Sequence, residues 1–450
     1  MANKRTWDIK DVTDKLNSIS PSMCGAKWAQ STIYLNTGHT HSCHHPGVHS
    51  IPLEGLAENP GQLHNTPFKM QARQQMLDGV RPSECDYCWR IEDLGKGHLS
   101  DRTYKSASGW AFPEIDNMVA SGQGASYHPK YLEVLFESTC NFACTYCMPE
   151  VSSKWWAEIE QHGPYKLASG ELRSIEHQRA TNKIVIAKAD NNPYIDAFWK
   201  IIPEWWPSLQ TFRITGGEPL LSKHTWKMID FVEKNANMEL GFAINTNLGV
   251  PDQLIDKMLV RLNEIQPNLR EVSVFTSVEA TGAAAEYIRY GMDYTKYISN
   301  LQRVLDETTA TVTMMTTINA LCYSTFVDFL NTIFAMRNRL PDPSRFRLSL
   351  NYLRHPEFLD IRYLPDVIKQ EWTKELSRVL MISKSSSKHL NSQEFNELQR
   401  LVSYMNAPQD SATVELQQRD LVLYTTEQDK RRGLDFPGTF ERLVALLPKI

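Results

Sequence analysis

The stretch YLEVLFESTCNFACTYC, residues 131–147, joins two signals. Its first half, YLEVLFE, has the apolar content of a buried strand. Its second half, beginning at the strand's end, carries Cys140, Cys144 and Cys147 at C-x3-C-x2-C spacing. Further strands are expected downstream at 209–215, 240–246, 270–277, 310–318 and 345–353. Helical periodicity separates them at 192–206, 222–236, 251–263, 282–305 and 323–338. Strand–helix alternation of this kind predicts an α/β chain with a parallel sheet. Six strands and five crossovers suit a partial barrel and an open sheet alike.

Residues 1–128 read as loop-rich, with one strand at STIYL and one helix over about 66–79, where Phe68, Met70, Met76 and Leu77 are candidates for a core. Residues 163–190 read as an insertion. From 370 to 450 the pattern is helical. The expected organisation is therefore 1–128, a core at 129–369, and a helical extension at 370–450.

The chain has 450 residues, 42% hydrophobic and 22% charged, with a formal net charge of −4. Such a length implies more than one core. No basic excess points to a nucleic acid partner. No apolar run spans a bilayer, and MANKRTWDIK has no secretory apolar segment after it. The expected location is the cytoplasm, where thiols stay reduced and closely spaced cysteines serve metals or catalysis. Seven of the eight cysteines precede residue 150.

Thiolates suit iron, and one short loop aims three of them at one cluster. Three ligands leave a fourth iron open to bind a small molecule. Two other readings stand beside this. Cys144 and Cys147 with Cys85 and Cys88 make paired C-x2-C zinc knuckles, and three neighbouring free thiols need hold nothing. Downstream, RITGGEPLLS follows the second strand. Gly216 and Gly217 lack side chains and let backbone approach a ligand. Glu218 adds a carboxylate that accepts from an ammonium group.

The triad, with Tyr146 before its last cysteine and GGE one βα unit later, resembles the radical SAM superfamily. The resemblance implies a partial (β/α)6 barrel. It implies a 4Fe-4S cluster on Cys140, Cys144 and Cys147, whose open iron chelates S-adenosylmethionine. Reductive cleavage then yields a 5′-deoxyadenosyl radical that abstracts hydrogen from a substrate, with electrons from a donor such as flavodoxin or ferredoxin. By the same resemblance Tyr146 sits against adenine, and Gly216, Gly217 and Glu218 hold the methionine amino group. Ser277 and Glu279, in TSVEATG, stand where relatives contact the ribose or the methionine end. Here Glu replaces the usual Asp, and Ala280 the usual Gly. Arg289 matches an arginine that pairs with the methionine carboxylate. Asn247 is a further pocket candidate.

Upstream, Cys24, thirteen residues, Gly38, four residues and Cys43 are followed by the pair Cys85 and Cys88. This pattern resembles the auxiliary domains called SPASM and twitch. It implies a second 4Fe-4S cluster on four cysteines, in a domain that precedes the core where relatives place it after. A structural zinc site is the alternative. His39, His41, His44 and His45, in GHTHSCHHPG, read as a solvated turn. Cys322 reads as a buried apolar residue, and Ser152 or Ser153 as a helix cap. Arg354 and His355 face substrate or solvent.

The implied activity is oxidative modification of a peptide, a protein or a small polar metabolite. A radical SAM epimerase or group transferase is the alternative among enzymes. A zinc-stabilised binding protein without redox chemistry is the alternative from another class.

Overall fold

A computed structural model of the protein describes residues 6–95, 97–181, 191–384 and 389–449. The end of the insertion, 182–190, lies outside them. The described residues form thirteen strands: β1 (Gln30–Tyr34), β2 (His39–His41), β3 (His49–Ser50), β4 (Tyr131–Leu135), β5 (Ala143–Cys144), β6 (Tyr165–Leu167), β7 (Gly170–Leu172), β8 (Thr211–Thr215), β9 (Asn237–Asn245), β10 (Leu269–Thr276), β11 (Arg289–Tyr290), β12 (Thr311–Ile318) and β13 (Phe346–Tyr352). One sheet takes nine of them, in the order β13-β12-β10-β9-β8-β4-β1-β2-β3. From β13 to β1 every pair is parallel. Strands β2 and β3 close that edge as antiparallel additions.

All six strands expected after residue 130 are present, and so is STIYL as β1. The parallel strands follow chain order without reversal. A doubly wound sheet reverses its order at a switch point, and this one does not. The expected boundary near 128 cuts across the sheet, because β1 pairs with β4 from Gln30↔Tyr131 to Tyr34↔Leu135.

Strand periodicity sorts the two faces. In β8, Phe212 and Ile214 are buried while Thr211, Arg213 and Thr215 are half-buried, and β12 alternates in the same way. The apolar face packs under helices Pro193–Trp205, Lys223–Lys234, Asp252–Ile265, Tyr294–Glu307 and Phe326–Arg339. The other face is polar: Arg213 donates to Asn245 Oδ1 at 2.8 Å and lies 4.0 Å over the Phe275 ring. At the β13 edge, Leu348 N–H and Leu350 N–H donate to Glu394 and Glu397 of helix Ser392–Met405. Covering an edge in this way stops it pairing with another chain.

The N-terminal residues divide between two cores. Ile33, Leu35, Ile51, Leu56 and Leu63 join the core of the sheet. Val12, Leu16, Met23, Trp28, Met76, Trp89, Ile115 and Met118 form a second core of their own. The C-terminal extension is helical, as its periodicity predicts: Asp366–Ser383, Ser392–Met405 and Ser411–Arg432 are its long helices. Among the described residues no helix is long and apolar enough to cross a membrane.

Three expectations need correction. The single helix over 282–305 is two, Gly282–Ile288 and Tyr294–Glu307, split by β11. Gly291 takes a φ of +104°, which a side chain disfavours, and Asp293 caps the second helix through Lys296 N–H. His39 and His41 are not in a solvated turn. They lie buried in β2, where antiparallel pairing with β1 takes their backbone.

The helix expected at 66–79, Pro67–Leu77, buries Lys69 and Arg73 alongside Met76, while Phe68 is exposed. Polar partners outweigh apolar preference here. Lys69 Nζ donates to Ser31 Oγ and Thr40 Oγ1, at 2.9 and 2.8 Å. Arg73 donates to Asn65 Oδ1 and to the carbonyls of Lys27, Gln123 and Gly124. Removing Arg73 orphans several buried acceptors, each costing about 1–3 kcal/mol. Arg73→Ala is therefore expected to lower stability by at least about 3 kcal/mol in urea unfolding. Phe68→Ala should stay within about 0.5 kcal/mol; equal losses in the two variants would contradict this account of the helix.

Candidate functional site

At the C-terminal end of β4 the chain leaves the sheet and runs through Ser138–Cys147 almost without regular structure. Its backbone groups must still be paired. The GGE turn after β8 meets part of that need. Glu218 N–H donates to Thr139 O at 2.7 Å. A Cβ on Gly217 would collide with the carbonyls of Thr139 and Ser138, and one on Gly216 would press on Leu135 and Glu137 O. Gly216 also takes a φ of +132°. The glycines are thus required first by the close approach of two protein backbones. They line the cavity as well.

The second half of the loop is held by β5 pairing with β11, Arg289 opposite Cys144. Side chains cap the remaining carbonyls. Trp155 Nε1 donates to Cys144 O at 2.8 Å, and Arg432 Nη1 to Ala143 O at 2.8 Å. Arg173 Nε donates to Cys147 O at 2.8 Å and its Nη2 to Thr145 O at 2.6 Å. Tyr424 O–H donates to Thr145 O at 2.7 Å. Ser152 caps the helix that carries Trp155.

This anchoring brings Cys140, Cys144 and Cys147 to one cavity of about 190 Å³. Tyr146, Gly216, Gly217, Asn247, Ser277 and Arg289 share its wall. Burial pushes the three thiols up, Cys147 to about 12. A bound cation would take the proton's place on each thiol. Phe142 N–H points at Cys140 Sγ, 3.4 Å away, and Arg289 Nη1 stands 3.9 Å from Cys144 Sγ.

Glu218 and Glu279 are close by but turned into the protein. Glu218 Oε2 accepts Asn247 N–H at 2.6 Å and Oε1 accepts Leu220 N–H at 3.0 Å. It thereby ties the GGE turn to the turn after β9. Glu279 pairs with Arg289 at 2.6 Å, both side chains at most 5% exposed, and Tyr146 O–H donates to it at 3.3 Å. Burial works against the guanidinium charge; Glu279, Tyr146 and Cys144 more than offset it and hold Arg289 well above arginine's ordinary value. Arg289 Nε is buried with no hydrogen-bond partner among the described residues. A buried donor left unpaired is costly, so an acceptor entering the cavity is the natural relief.

The four upstream cysteines also converge. Cys24 at a helix start, Cys43 after β2, Cys85 and Cys88 line one small cavity with Lys27, Arg102 and Lys105. Burial pushes Cys43 to about 11 and Cys85 to about 12. Lys27 pairs with Glu84 at 2.5 Å. Its burial opposes the ammonium charge, and Cys85 and Glu84 reverse that effect. Lys27 and Arg102 are buried there, Lys105 is half-buried and Asp101 shares the lining; among the described residues no group of three or more His, Cys, Asp or Glu side chains is arranged to hold a metal ion. A third cavity, of about 300 Å³, shares Pro46 with this one and Val151 with the triad's. His39, His41, His44 and Glu150 line it.

Sequence reading missed Arg173, Trp155 as a donor, Tyr424 and Arg432. None carries a motif: Arg173 comes from the insertion, Trp155 from helix Ser153–His162, and Tyr424 and Arg432 from the C-terminal helix. Arg354 lies exposed over the rings of Tyr352 and Tyr404, and Cys322 is buried as expected.

No family model matches the chain, and no curated protein matches its sequence. Among solved structures, the crystal structure of Streptococcus suis SuiB bound to S-adenosylmethionine is similar at a TM-score of 0.32 and 11% identity, covering 80% of this chain and 69% of that one. A likeness so slight carries no function; the site's own residues must.

Burial raises Glu218 to about 7 from an ordinary 4.5. A carboxyl raised in the folded state destabilises once it ionises. Stability should therefore fall as pH rises from 4.5 through 7, by up to about 3 kcal/mol. Urea unfolding of the metal-free chain at pH 5 and pH 8 checks this. Glu218→Gln should flatten the slope; a variant with the wild-type slope would contradict the assignment.

Proposed function

We propose that the chain is a radical SAM enzyme with an auxiliary cluster. The observation that carries the reading is the convergence of Cys140, Cys144 and Cys147 on one cavity. Gly216, Gly217, Ser277 and Arg289 share that cavity. Parallel strands in unbroken chain order suit a partial barrel, whose chemistry sits at the strands' C-terminal ends. The three thiols would hold a 4Fe-4S cluster with one iron left open. That cluster, reduced by one electron from a donor protein, would supply the chemistry that turns S-adenosylmethionine into methionine and a 5′-deoxyadenosyl radical able to take a hydrogen atom from substrate.

The residues' own work is binding and exclusion. Arg289, fixed by Glu279, offers its unpartnered Nε to the methionine carboxylate. Gly216 and Gly217 would leave backbone open toward the methionine end, while Glu218, its oxygens taken by Asn247 N–H and Leu220 N–H, holds the turn that presents them. Tyr146, its hydroxyl held by Glu279, presents its ring face to the adenine. Ser277 would contact the ribose or the methionine end. Phe275, Met315 and Val151 would supply the apolar part of the wall around the reacting bond.

Cys24, Cys43, Cys85 and Cys88 would hold a second 4Fe-4S cluster, which would supply one-electron redox capacity. Oxidative modification of a peptide, a protein or a small polar metabolite fits that pairing. Flavodoxin or ferredoxin suits the role of electron donor.

Anaerobically purified protein should be brown, carry about eight irons per chain, and form 5′-deoxyadenosine from S-adenosylmethionine and dithionite. Replacing Cys140, Cys144 and Cys147 together by Ala should abolish that product. A colourless protein holding zinc without sulfide would overturn the reading. Iron near four per chain would remove the second cluster only.

A further inference from the structure

The triad cavity is built from the strands, but the back of its loop is built from elsewhere. Arg173 comes from the insertion, just after β7, and takes a left-handed φ of +61°. Tyr424 comes from helix Ser411–Arg432, 251 residues later in the chain. Arg173 spends all three of its nitrogens here: Nε on Cys147 O, Nη2 on Thr145 O and Nη1 on Tyr424 Oη at 2.9 Å. Its guanidinium is sandwiched 3.8 Å over the Trp155 ring and 5.5 Å from that of Tyr424. It is buried. Only a planar fork of donors makes these contacts together; an ammonium group does not.

We infer that Arg173, seated by Tyr424, is a positioning residue that sets the reduction potential of the cluster held by Cys140, Cys144 and Cys147. The inference rests on the radical SAM reading of that triad. Both carbonyls that Arg173 binds, Thr145 O and Cys147 O, belong to the segment carrying Cys144 and Cys147. A fixed positive charge in a dry setting favours the more negative, reduced cluster. Polarising a carbonyl also strengthens the donor at the other end of its peptide, and hydrogen bonding around cluster sulfurs tunes their potential. The insertion and the C-terminal helix, which carry no substrate motif, thereby acquire a role in making the cluster reducible.

Full-length wild type, Arg173→Met, Arg173→Lys and Tyr424→Phe are reconstituted anaerobically. Each is titrated through the paramagnetic signal that changes when S-adenosylmethionine is added, which singles out the triad's cluster. Arg173→Met should shift the reduced-to-oxidised ratio at fixed poise about tenfold toward oxidised, 59 mV for one electron. Arg173→Lys keeps the charge and should shift it less than about threefold. Arg173→Met with full iron and an unchanged potential would overturn the inference. So would Arg173→Lys shifting as far as Arg173→Met, since charge would then not be the cause. Should Arg173→Met fail to take up iron, Tyr424→Phe decides. It leaves the charge but unseats it, and a shift in the same direction supports the inference while an unchanged signal overturns it. A wild-type protein with no signal responsive to S-adenosylmethionine sinks the underlying reading instead.

Discussion

Everything at the open end of the sheet depends on pairing the backbone of Ser138–Cys147, a loop with almost no regular structure of its own. Three thiols converge only if that loop holds one shape. The GGE turn takes its beginning through Glu218 N–H and Thr139 O. The β5–β11 bridge takes its middle. Arg173, Trp155, Tyr424 and Arg432 take the carbonyls that remain. The contacts from Arg289, Tyr424 and Arg432 each reach across more than a hundred residues of sequence, so the site is a product of tertiary structure more than of its motif.

That division explains what could be read in advance. The strands were legible because alternation and apolar content act locally, and all six fell within a few residues of expectation. The cysteine spacing was legible for the same reason. Arg173, Tyr424 and Arg432 left no trace, since a single arginine donating to a distant carbonyl has no pattern. Arg289 shows the intermediate case. Its segment has helical periodicity, yet Gly291 and Asp293 break the helix and deliver the arginine, buried, to Cys144. GGE was legible as a motif, but the close backbone contact that requires both glycines was not.

The N-terminal residues show how composition misleads. A loop-rich, histidine-rich stretch suggested solvated turns. In the fold its strand β1 extends the sheet, and His39 and His41 are buried beside it. Lys69 and Arg73 occupy core positions because the backbone and hydroxyl acceptors around them offer hydrogen bonds that an apolar side chain would leave unmade. Around that frame Cys24, Cys43, Cys85 and Cys88 converge on a second cavity, joined to the triad's through the walls of a third.

The central claim is that three thiols leave one iron free to bind S-adenosylmethionine. The paramagnetic resonance spectrum of the reduced protein, recorded with and without S-adenosylmethionine in a Cys85→Ala, Cys88→Ala background, tests it most directly. The account predicts a cluster signal whose principal g values change when S-adenosylmethionine is added. A signal identical in both samples, or none at all in protein loaded with iron and sulfide, would contradict it.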